Sequence, residues 1–334
     1  MAKILLTGGA GYIGSHTYLA LIEAGFEVVI FDNYSNAKPD VPARLQDIAG
    51  GPVHVIEGDV LDRASLDAVF AAHRIDGVVH FAAKKAVGES VEKPLEYMHT
   101  NVGGLLNLLT AMDHAGVRRI VFSSSATVYG DTDVQPIPED HPRTYTSPYA
   151  FTKIAGEQIL EQLTDDWSVG ILRYFNPVGA HRSAIIGEDP EDIPNNLVPY
   201  IAKVATGDLA QLSVFGDDYD TPDGTGVRDY IHVEDLAEGH VLSLKRLIET
   251  GESHTVNLGT GEGSSVLDVV RAYGEACGDD IAYTIAPRRD GDVAVLTARP
   301  DRAKAELGFE ATRTLADMCR SSWAWVSGQR RNAK

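Results

Sequence analysis

The sequence has few cysteines and no long hydrophobic run. Only two of its 334 residues are cysteine, Cys277 and Cys319, which is too few for a disulfide framework and typical of a reducing compartment. Glycines interrupt the apolar residues near the N-terminus, so we expect no signal peptide and a cytoplasmic protein. No apolar stretch reaches the ~18 residues that a membrane-spanning helix requires, so we expect no membrane partner.

Basic residues are also scarce. Lysine and arginine number 29 against 48 aspartates and glutamates, which gives a formal net charge of −19. This balance argues against binding to nucleic acid or to an anionic membrane. An anionic small molecule would therefore have to be met by individual arginines. The length of 334 residues predicts about two domains.

The first motif is a glycine-rich turn between a strand and a helix. A short apolar run, Ile4–Leu6, precedes Gly8, Gly11 and Gly14, and apolar residues then recur at helical spacing as far as Gly25. Glycines allow the backbone to approach a pyrophosphate closely, and the N-terminus of a helix offers N–H groups and a partial positive charge to the phosphates. The motif therefore predicts a dinucleotide-binding site.

Two acidic residues at strand ends suit the rest of a dinucleotide. Asp32 follows the predicted strand Val28–Phe31, and a carboxylate there accepts from the ribose hydroxyls of NAD and repels the 2′-phosphate of NADP. Asp59 follows the predicted strand Val53–Ile56, where we expect it to meet the adenine amino group. Asp62 is better placed to cap the following helix.

Strands and helices alternate through the first half of the chain. Val78–Phe81, Ile120–Phe122 and Val169–Leu172 are the predicted fourth, fifth and sixth strands. The alternation predicts an α/β fold with a doubly wound parallel sheet, a Rossmann domain, in which ligands bind beyond the carboxyl ends of the strands. We expect an NAD-binding domain over residues 1–176, to which a later segment, about 229–250, returns, and a smaller α/β lid domain over residues 177–330 that binds the substrate.

A tyrosine and a lysine four residues apart predict the chemistry. Tyr149 and Lys153 fall on one face of a helix that begins near Pro148. A tyrosine of pKa ~10 is a weak base at neutral pH, but an adjacent ammonium group and the positive nicotinamide ring of NAD⁺ both favour its phenolate. A hydroxyl from the serine loop Ser123–Ser125 would orient a substrate alcohol. The set predicts alcohol oxidation by general acid–base catalysis with hydride transfer to NAD.

Together these motifs resemble the extended short-chain dehydrogenase/reductase superfamily and, within it, the UDP-glucose 4-epimerase family. TGGAGYIGSHT, FSSSATVYGD, LRYFNPVGAH and DGTGVRDYIHV carry the resemblance, which reaches from Met1 to about Arg320. It implies an isomerase that interconverts UDP-glucose and UDP-galactose with tightly bound NAD. Tyr149 would take the proton of the sugar 4-hydroxyl, a hydride would leave C4, and the 4-keto sugar would turn over before the hydride returns. Ser125 is the serine that matches the family's catalytic serine.

The resemblance also implies which residues contact each ligand, and it implies no metal. The residues expected at NAD are Gly8, Gly11, Tyr12, Ile13, Gly14, Asp32, Asn33, Tyr34, Ser35, Asn36, Asp59, Val60, Phe81, Ala82, Ala83, Lys85, Asn101, Tyr149, Lys153 and Phe175. Those expected at the UDP-sugar are Ser125, Ala126, Thr127, Tyr149, Phe175, Asn176, Asn195, Asn196, Leu197, Ser213, Val214, Phe215, Arg228, Arg289, Asp292 and Leu296.

The match departs from the family at two positions. Thr100 stands where members often have asparagine, and Leu296 stands at a position that is tyrosine in members restricted to plain hexoses and smaller in members that also accept N-acetylhexosamines. We therefore expect a sugar pocket of intermediate width. A homodimer is also implied, through a helix bundle around Leu95–Met112 and Ile154–Leu163.

Three other functions fit the same fold. A nucleotide-sugar dehydratase needs an Asp–Glu pair where this chain has Ala126-Thr127 after Ser125. A net NAD(P)-dependent reductase would have to release its cofactor, and Asp32 disfavours NADP. A non-catalytic redox-sensing protein would commonly lack the Tyr149–Lys153 pair, which is present here.

Overall fold

A computed structural model describes residues 1–190, 194, 196–289 and 292–332, with side chains as far as residue 330. The strands are β1 (Lys3–Thr7), β2 (Glu27–Asp32), β3 (His54–Glu57), β4 (Gly77–His80), β5 (Arg119–Ser125), β6 (Ser168–Tyr174), β7 (Asn176–Val178), β8 (Leu212–Phe215), β9 (Val227–His232), β10 (His254–Leu258), β11 (Gly263–Ser265), β12 (Tyr283–Ala286) and β13 (Val295–Leu296).

The helices alternate with these strands along the chain. They are α1 (Tyr12–Glu23), α2 (Val41–Ala49), α3 (Arg63–Ala72), α4 (Val87–Glu92), α5 (Pro94–Tyr97), α6 (Gly104–Ala115), α7 (Pro148–Glu161), α8 (Leu197–Ala205), α9 (Val233–Thr250), α10 (Val266–Cys277), α11 (Asp301–Leu307) and α12 (Leu315–Asn332). A π-helical turn, Met98–Gly103, joins α5 to α6, and a 3₁₀ turn, Ala126–Tyr129, follows β5. Among the described residues, no helix is both long enough and apolar enough to cross a membrane.

Seven parallel strands form the main sheet in the order β10-β6-β5-β4-β1-β2-β3. The predicted α/β fold with a parallel sheet is thereby confirmed. Six of the strands were predicted, whereas β10 was not. It joins the edge of the sheet beside β6, so the second half of the chain returns to the first domain beyond the expected segment.

Both faces of this sheet are buried because helices pack on each of them, and successive side chains of a strand point to opposite faces. Ile4 and Leu6 pack in one apolar cluster with residues of α1 and α9. Leu5 packs in the other cluster with residues of α3 and α6. All three side chains are 0% exposed, as a continuous apolar strand in a two-sided core requires.

The second half of the chain adds a smaller set of sheets. β9 pairs with β7, β11 and β13, and β8 pairs with β12. Helices α8, α10 and α12 supply a separate apolar cluster that includes Val198, Val269 and Met318. The main sheet and these smaller sheets fit the two-part organisation, while the exact domain borders stay a prediction.

Candidate active site

The glycine turn lies between β1 and α1, as its sequence predicts. Gly8 has φ +71°, and a Cβ there would lie 2.7 Å from the backbone nitrogen of Ala82. A Cβ on Gly14 would lie 2.3 Å from the carbonyl oxygen of Gly8. Helix α1 begins after Gly11 without a side-chain cap, so its first amides, including those of Tyr12 and Ile13, have no partner within the helix. These features fit a bound pyrophosphate.

The acidic residues lie where the ribose and adenine of a dinucleotide are expected. The Asp32 carboxylate accepts from the backbone nitrogens of Ala10 and Tyr34, each at 2.9 Å, and burial raises its pKa despite these bonds. Asp59 accepts from the Leu61 backbone nitrogen at 2.8 Å and from Asn33 Nδ2 at 2.9 Å. Each carboxylate retains lone pairs for a ligand.

Asp62, and not Asp59, caps α3. Its side chain accepts from the backbone nitrogen of Ala64, which confirms the assignment made from the sequence. Ser35 and Asn36 are exposed beside Asn33, and Val60 is buried after Asp59. The loops after β2 and β3 therefore leave Asp59 and its neighbours at the carboxyl edge of the sheet.

The loop after β4 forms another part of this edge. Phe81, Ala82 and Ala83 are partly exposed there. Asn101 fixes the loop, because its Oδ1 accepts from the Lys84 backbone nitrogen at 2.8 Å, and its Nδ2 donates to the Lys84 carbonyl and to Thr152 Oγ1, each at 3.0 Å. The described contacts of Asn101 are thus with protein groups, and its contact with NAD stays a prediction.

Lys85, the next residue in this loop, has an exposed side chain. Its Nζ lies 3.4 Å from Glu188 Oε1, and its side chain is 53% exposed. Lys84 pairs instead with Glu96 at 2.5 Å. Of the two lysines, Lys85 has the weaker protein partner and the more exposed side chain, which supports its selection as the cofactor contact.

The predicted catalytic side chains converge at the carboxyl ends of β5 and β6. Ser147 caps α7 by accepting from the Ala150 backbone nitrogen, and Pro148 occupies the first turn, so Tyr149 projects from the start of the helix. Lys153 Nζ donates to the Ser123 carbonyl at 2.6 Å and lies 5.8 Å from the centre of the Tyr149 ring.

Ser125 completes this group. Its side chain lies close enough to Tyr149 to lower the pKa of the phenol, and its Oγ accepts from the backbone nitrogen and Oγ1 of Thr127 at 3.2 and 3.0 Å. Ser123 and Ser124 have other positions: Ser123 is buried and its carbonyl accepts from Lys153, and Ser124 is 1% exposed and donates to a buried carboxylate. Of the three serines, Ser125 is the one that is partly exposed, and its contact with a substrate stays a prediction.

Burial sets the acidity of the pair in a direction that the sequence did not predict. It raises the pKa of Tyr149 to about 12, although the nearby side chain of Ser125 lowers it. Burial lowers the pKa of Lys153 to about 8, against the opposing charge of Glu157. In the protein by itself the phenol is therefore less acidic than free tyrosine. The expected acidification of Tyr149 depends on a further positive charge.

The residues expected at the diphosphate share the sheet formed by β7, β9 and β13. Asn176 lies opposite Tyr230 on β9, and Arg228 on β9 lies opposite Leu296 on β13. Arg228 Nη2 lies 3.6 Å from Asp292 Oδ1. Because β7 begins two residues after β6 ends, this sheet continues directly from the catalytic edge.

A second arginine stacks on the aromatic ring predicted to flank uracil. The Arg289 guanidinium lies 3.8 Å from the centre of the Phe215 ring. Val214 is 1% exposed, so its side chain belongs to the core and only its backbone can face a ligand. Ser213 on the same strand is partly exposed.

The remaining substrate residues lie near the start of α8. Asn196 precedes the helix and donates from Nδ2 to Glu188 Oε1 at 3.1 Å, and Leu197 is its first residue. Asn195 lies outside the described residues. Phe175 is buried with Ala126, and Leu296 packs against the same apolar cluster. Thr127 is partly exposed beside them.

Comparisons with known proteins agree with this geometry. The model of the NAD dependent epimerase/dehydratase family matches residues 4–259. UDP-glucose 4-epimerase of Bacillus subtilis is 54% identical over 97% of this chain and 96% of its own length. The chain belongs to the UDP-glucose 4-epimerases of this family. The resemblance stated from the sequence is thereby confirmed.

Solved structures of UDP-glucose 4-epimerases superpose closely. That from Stenotrophomonas maltophila, with bound NAD and formylated UDP-arabinopyranose, has a TM-score of 0.98 and 48% identity, and covers 99% of this chain and 100% of its own. That from Bifidobacterium longum, in complex with NAD⁺ and UDP, has a TM-score of 0.94 and 49% identity, and covers 98% of this chain and 99% of its own.

One residue of this epimerase was missed at the sequence level. Glu157 is 0% exposed and lies one turn after Lys153 on α7. A signal was available, since Tyr149, Lys153 and Glu157 repeat at intervals of four and thus share a helix face. A carboxylate on a face that must be buried needs a partner, which that spacing alone does not identify.

Proposed function

We propose that the protein interconverts UDP-glucose and UDP-galactose, with NAD as its tightly bound cofactor. The observation that carries the proposal is the meeting of Tyr149, Lys153 and Ser125 at the edge of the sheet that also holds the glycine turn. The sheet bearing Asn176 and Arg228 begins at the same edge. This arrangement supports the binding of a dinucleotide, a sugar hydroxyl and a diphosphate at one edge of the sheet.

The chain's own residues perform the proton chemistry. Tyr149 takes the proton of the sugar 4-hydroxyl, and Ser125 orients that hydroxyl. When bound, NAD accepts a hydride from C4 and returns it to the opposite face of the 4-keto sugar. Lys153 holds a positive charge beside the ring of Tyr149, which favours phenolate. Tyr149 then returns its proton to the oxygen on C4, whose configuration is now inverted.

The smaller sheets and the loop before β13 have a different role, because the sugar must turn while the rest of the substrate stays bound. Arg228 and Arg289 can each present two parallel N–H groups to phosphate oxygens. Asp292, beside Arg228, can accept from a ribose hydroxyl, and Phe215 can stack on uracil. We assign binding of the diphosphate and nucleoside to these four residues. We assign no strong polar contact to the sugar, which must be free to turn.

The decisive experiment supplies UDP-galactose to the purified protein with no added cofactor. Formation of UDP-glucose, together with a nicotinamide absorbance that stays with the protein through gel filtration, supports the proposal. A cofactor-free protein that consumes added NADPH would identify a reductase, and release of water from the sugar would identify a dehydratase. Either of these results contradicts the proposal.

The side chain at position 296 bears on which sugars are accepted. Leu296 is partly buried against the cluster that contains Phe175, and it lies opposite Arg228. A leucine is shorter than the tyrosine of plain-hexose members. We therefore include slow turnover of UDP-N-acetylglucosamine in the proposal. Leu296→Tyr should abolish that turnover and retain turnover of UDP-glucose, whereas loss of both or of neither would contradict the assignment.

An exposed apolar face supports a homodimer. Val91 on α4 is 63% exposed, Leu95 on α5 is 81% exposed, and Leu106 on α6 is 46% exposed. Phe151 on the adjoining α7 is 37% exposed. Apolar residues grouped in this way commonly mark an interface, and α5 and α6 fall within the predicted helix bundle. We assign the contact between two copies to this face.

The size of the particle in solution tests the dimer. Leu95→Asp should give a monomer by analytical ultracentrifugation, because a charge would be buried at the contact. Val134→Asp is the matched control, since Val134 is 44% exposed outside this face. A dimer that survives the first change, or is lost with the second, would contradict the assignment.

We propose the cytoplasm as the compartment, in keeping with the unpaired Cys277 and Cys319.

A further inference from the structure

The turn of α7 behind Lys153 places a fully buried carboxylate in the core. Glu157 Oε1 accepts from Ser124 Oγ at 2.5 Å and from Arg173 Nε at 2.9 Å. Its Oε2 accepts from Arg173 Nη2 at 2.7 Å and from Arg143 Nη1 at 3.1 Å. Both oxygens are thus occupied by donors, three of them cationic, as a buried charge requires.

Two of the three donor residues, Ser124 and Arg173, come from the strands that lead to the reacting groups, and the third, Arg143, lies in the loop before α7. Ser124 immediately precedes Ser125 at the end of β5, and Arg173 lies two residues before Phe175 at the end of β6. Glu157 is itself on the helix of Tyr149. One carboxylate therefore joins the helix of the base, the strand of the catalytic serine and the strand that leads to the predicted nicotinamide contact.

Arg173, which links Glu157 to β6, is itself fixed by buried hydrogen bonds. It is 4% exposed, and its Nη1 donates to the Tyr129 hydroxyl at 3.0 Å and to the Glu139 carbonyl at 2.8 Å. Tyr129 in turn donates to Asn257 Oδ1 on β10 at 2.6 Å. The carboxylate therefore belongs to a connected buried network, and such networks favour a single arrangement of their members.

A second contact joins the same helix and strand one residue earlier. Lys153 Nζ donates to the Ser123 carbonyl at 2.6 Å. Helix α7 is thus attached to two consecutive residues of β5, first through the backbone of Ser123 and then through the side chain of Ser124. Two attachments fix both the distance and the rotation of a strand end relative to a helix, whereas one leaves it free to pivot.

We propose that Glu157 is a positioning residue of the epimerase reaction. Its carboxylate holds Ser125 and Tyr149 at the mutual distance that proton transfer to and from the sugar hydroxyl requires. The inference rests on the proposed function, since it assumes that Tyr149 and Ser125 act on the substrate. It assigns Glu157 no contact with the substrate or with NAD.

The charge of Glu157 has a second consequence, for Lys153. The ammonium of Lys153 is faced by Tyr149 and Glu157 from its own helix and by His80 from β4. Glu157 raises the pKa of Lys153 against the effect of burial. Loss of this charge should therefore allow Lys153 to lose its proton at a lower pH, which would move the alkaline limit of activity to lower pH.

Ser124→Ala tests the positioning role with the smallest change. It removes one hydrogen bond and leaves the Glu157–Arg173 ion pair in place. We expect kcat for UDP-galactose to fall about ten- to a hundredfold, the loss typical of a small misplacement of reacting groups. KM, the alkaline limit and the NAD retained through gel filtration should stay as in the wild type, because the ligand-binding residues are untouched.

Glu157→Gln tests the role of the charge. We expect a comparable or larger loss of kcat and an alkaline limit displaced to lower pH, with partial recovery in Glu157→Asp. Glu161→Gln is the matched control. Glu161 lies one turn further along α7 and pairs with Arg143 at 2.7 Å, but its side chain is 42% exposed and contacts neither Ser124 nor Arg173. It should leave kcat and the pH profile unchanged.

Three results would overturn the inference. The first is Ser124→Ala with wild-type kcat, and the second is an equal loss in Glu161→Gln. The third is a Glu157→Gln protein that melts lower but has unchanged kcat and pH profile, which would indicate a structural role alone. If Glu157→Gln fails to fold, Ser124→Ala decides. A wild-type protein that does not convert UDP-galactose contradicts the proposed function instead, and is recognised before any variant is made.

Discussion

Gly14→Ala should disrupt the NAD site through one methyl group. The new Cβ would lie 2.3 Å from the Gly8 carbonyl oxygen and 2.8 Å from Gly9 Cα. Both are backbone atoms, so no rotamer change can relieve the clash. Ordinary contact begins near 3.4 Å, so the turn and the start of α1 must separate by roughly 1 Å, at a cost of about 1–3 kcal/mol or more by analogy with overpacked cores.

The separation acts on the surface that the pyrophosphate needs. The first amides of α1 bind phosphate only while they point at one position. If the contact between these amides and the pyrophosphate is weakened by about 1.4 kcal/mol, the affinity for NAD falls tenfold. We therefore expect Gly14→Ala to lose most of its bound NAD during gel filtration, measured by nicotinamide absorbance, and to melt a few degrees below the wild type.

A matched variant separates this effect from that of any glycine replacement. Gly88 lies within α4, and a Cβ there would meet no atom within 4 Å. Gly88→Ala should retain its NAD and gain about 0.5–1 kcal/mol of stability, because alanine loses less conformational freedom in a helix. A Gly14→Ala protein with wild-type NAD content and melting temperature would refute the reasoning.

Three further predictions concern the reaction. Tyr149→Phe should lower kcat about 10²–10⁴-fold, as expected for a lost general base, while NAD content is unchanged; retained turnover would show that another group is the base. Because the pKa of Lys153 is lowered to about 8, its ammonium is lost as the pH rises through that value, so kcat should decline there, and a profile that stays flat well above it would contradict this. Arg289→Leu should raise KM for UDP-galactose at least tenfold, about 1.4 kcal/mol, with little change in kcat. Arg288→Leu is the control and should leave KM unchanged, since Arg288 pairs with Asp218 at 2.6 Å. Equal effects of the two changes would contradict the assignment of Arg289 to the substrate.

Local features of this fold were readable from the sequence because neighbours in the chain determine them. The strand, glycine turn and helix around Gly8 depend on residues within one short segment, and so does the cap formed by Asp62. The spacing of Tyr149 and Lys153 fixes their shared face without any tertiary information. These features comprise the glycine turn and the Tyr149–Lys153 pair of the candidate site.

Features that depend on distant partners were not readable. β10 is a short strand whose place beside β6 is decided by how the chain returns after α9. Arg228 and Asp292 are far apart in sequence and meet because β9 and β13 pair. The partners of Glu157 come from β5, from β6 and from the loop before α7. A single sequence shows a charged residue in each case, but not which opposite charge it will meet.

The acidity of Tyr149 is another property that depends on groups distant in the sequence or supplied by the cofactor. A shift of its pKa from about 12 to about 7 needs about 7 kcal/mol. Lys153, 5.8 Å from the ring centre, is already present in the protein for which the pKa is about 12, so a second cation must supply the shift. At about 4 Å and an effective dielectric constant of about 20 it supplies about 4 kcal/mol, which lowers the pKa by about three units.

Tyr149 should therefore change its protonation with the charge of the bound nicotinamide. Beside a positive ring the phenolate is accessible and the residue acts as a base. Beside a neutral, reduced ring the phenol keeps its proton and the residue acts as an acid. Tyrosinate absorbance of the wild type minus that of Tyr149→Phe should thus titrate several units lower with oxidised than with reduced cofactor. Equal midpoints would mean that Lys153 alone sets the acidity, and the proton would then not be coupled to the hydride.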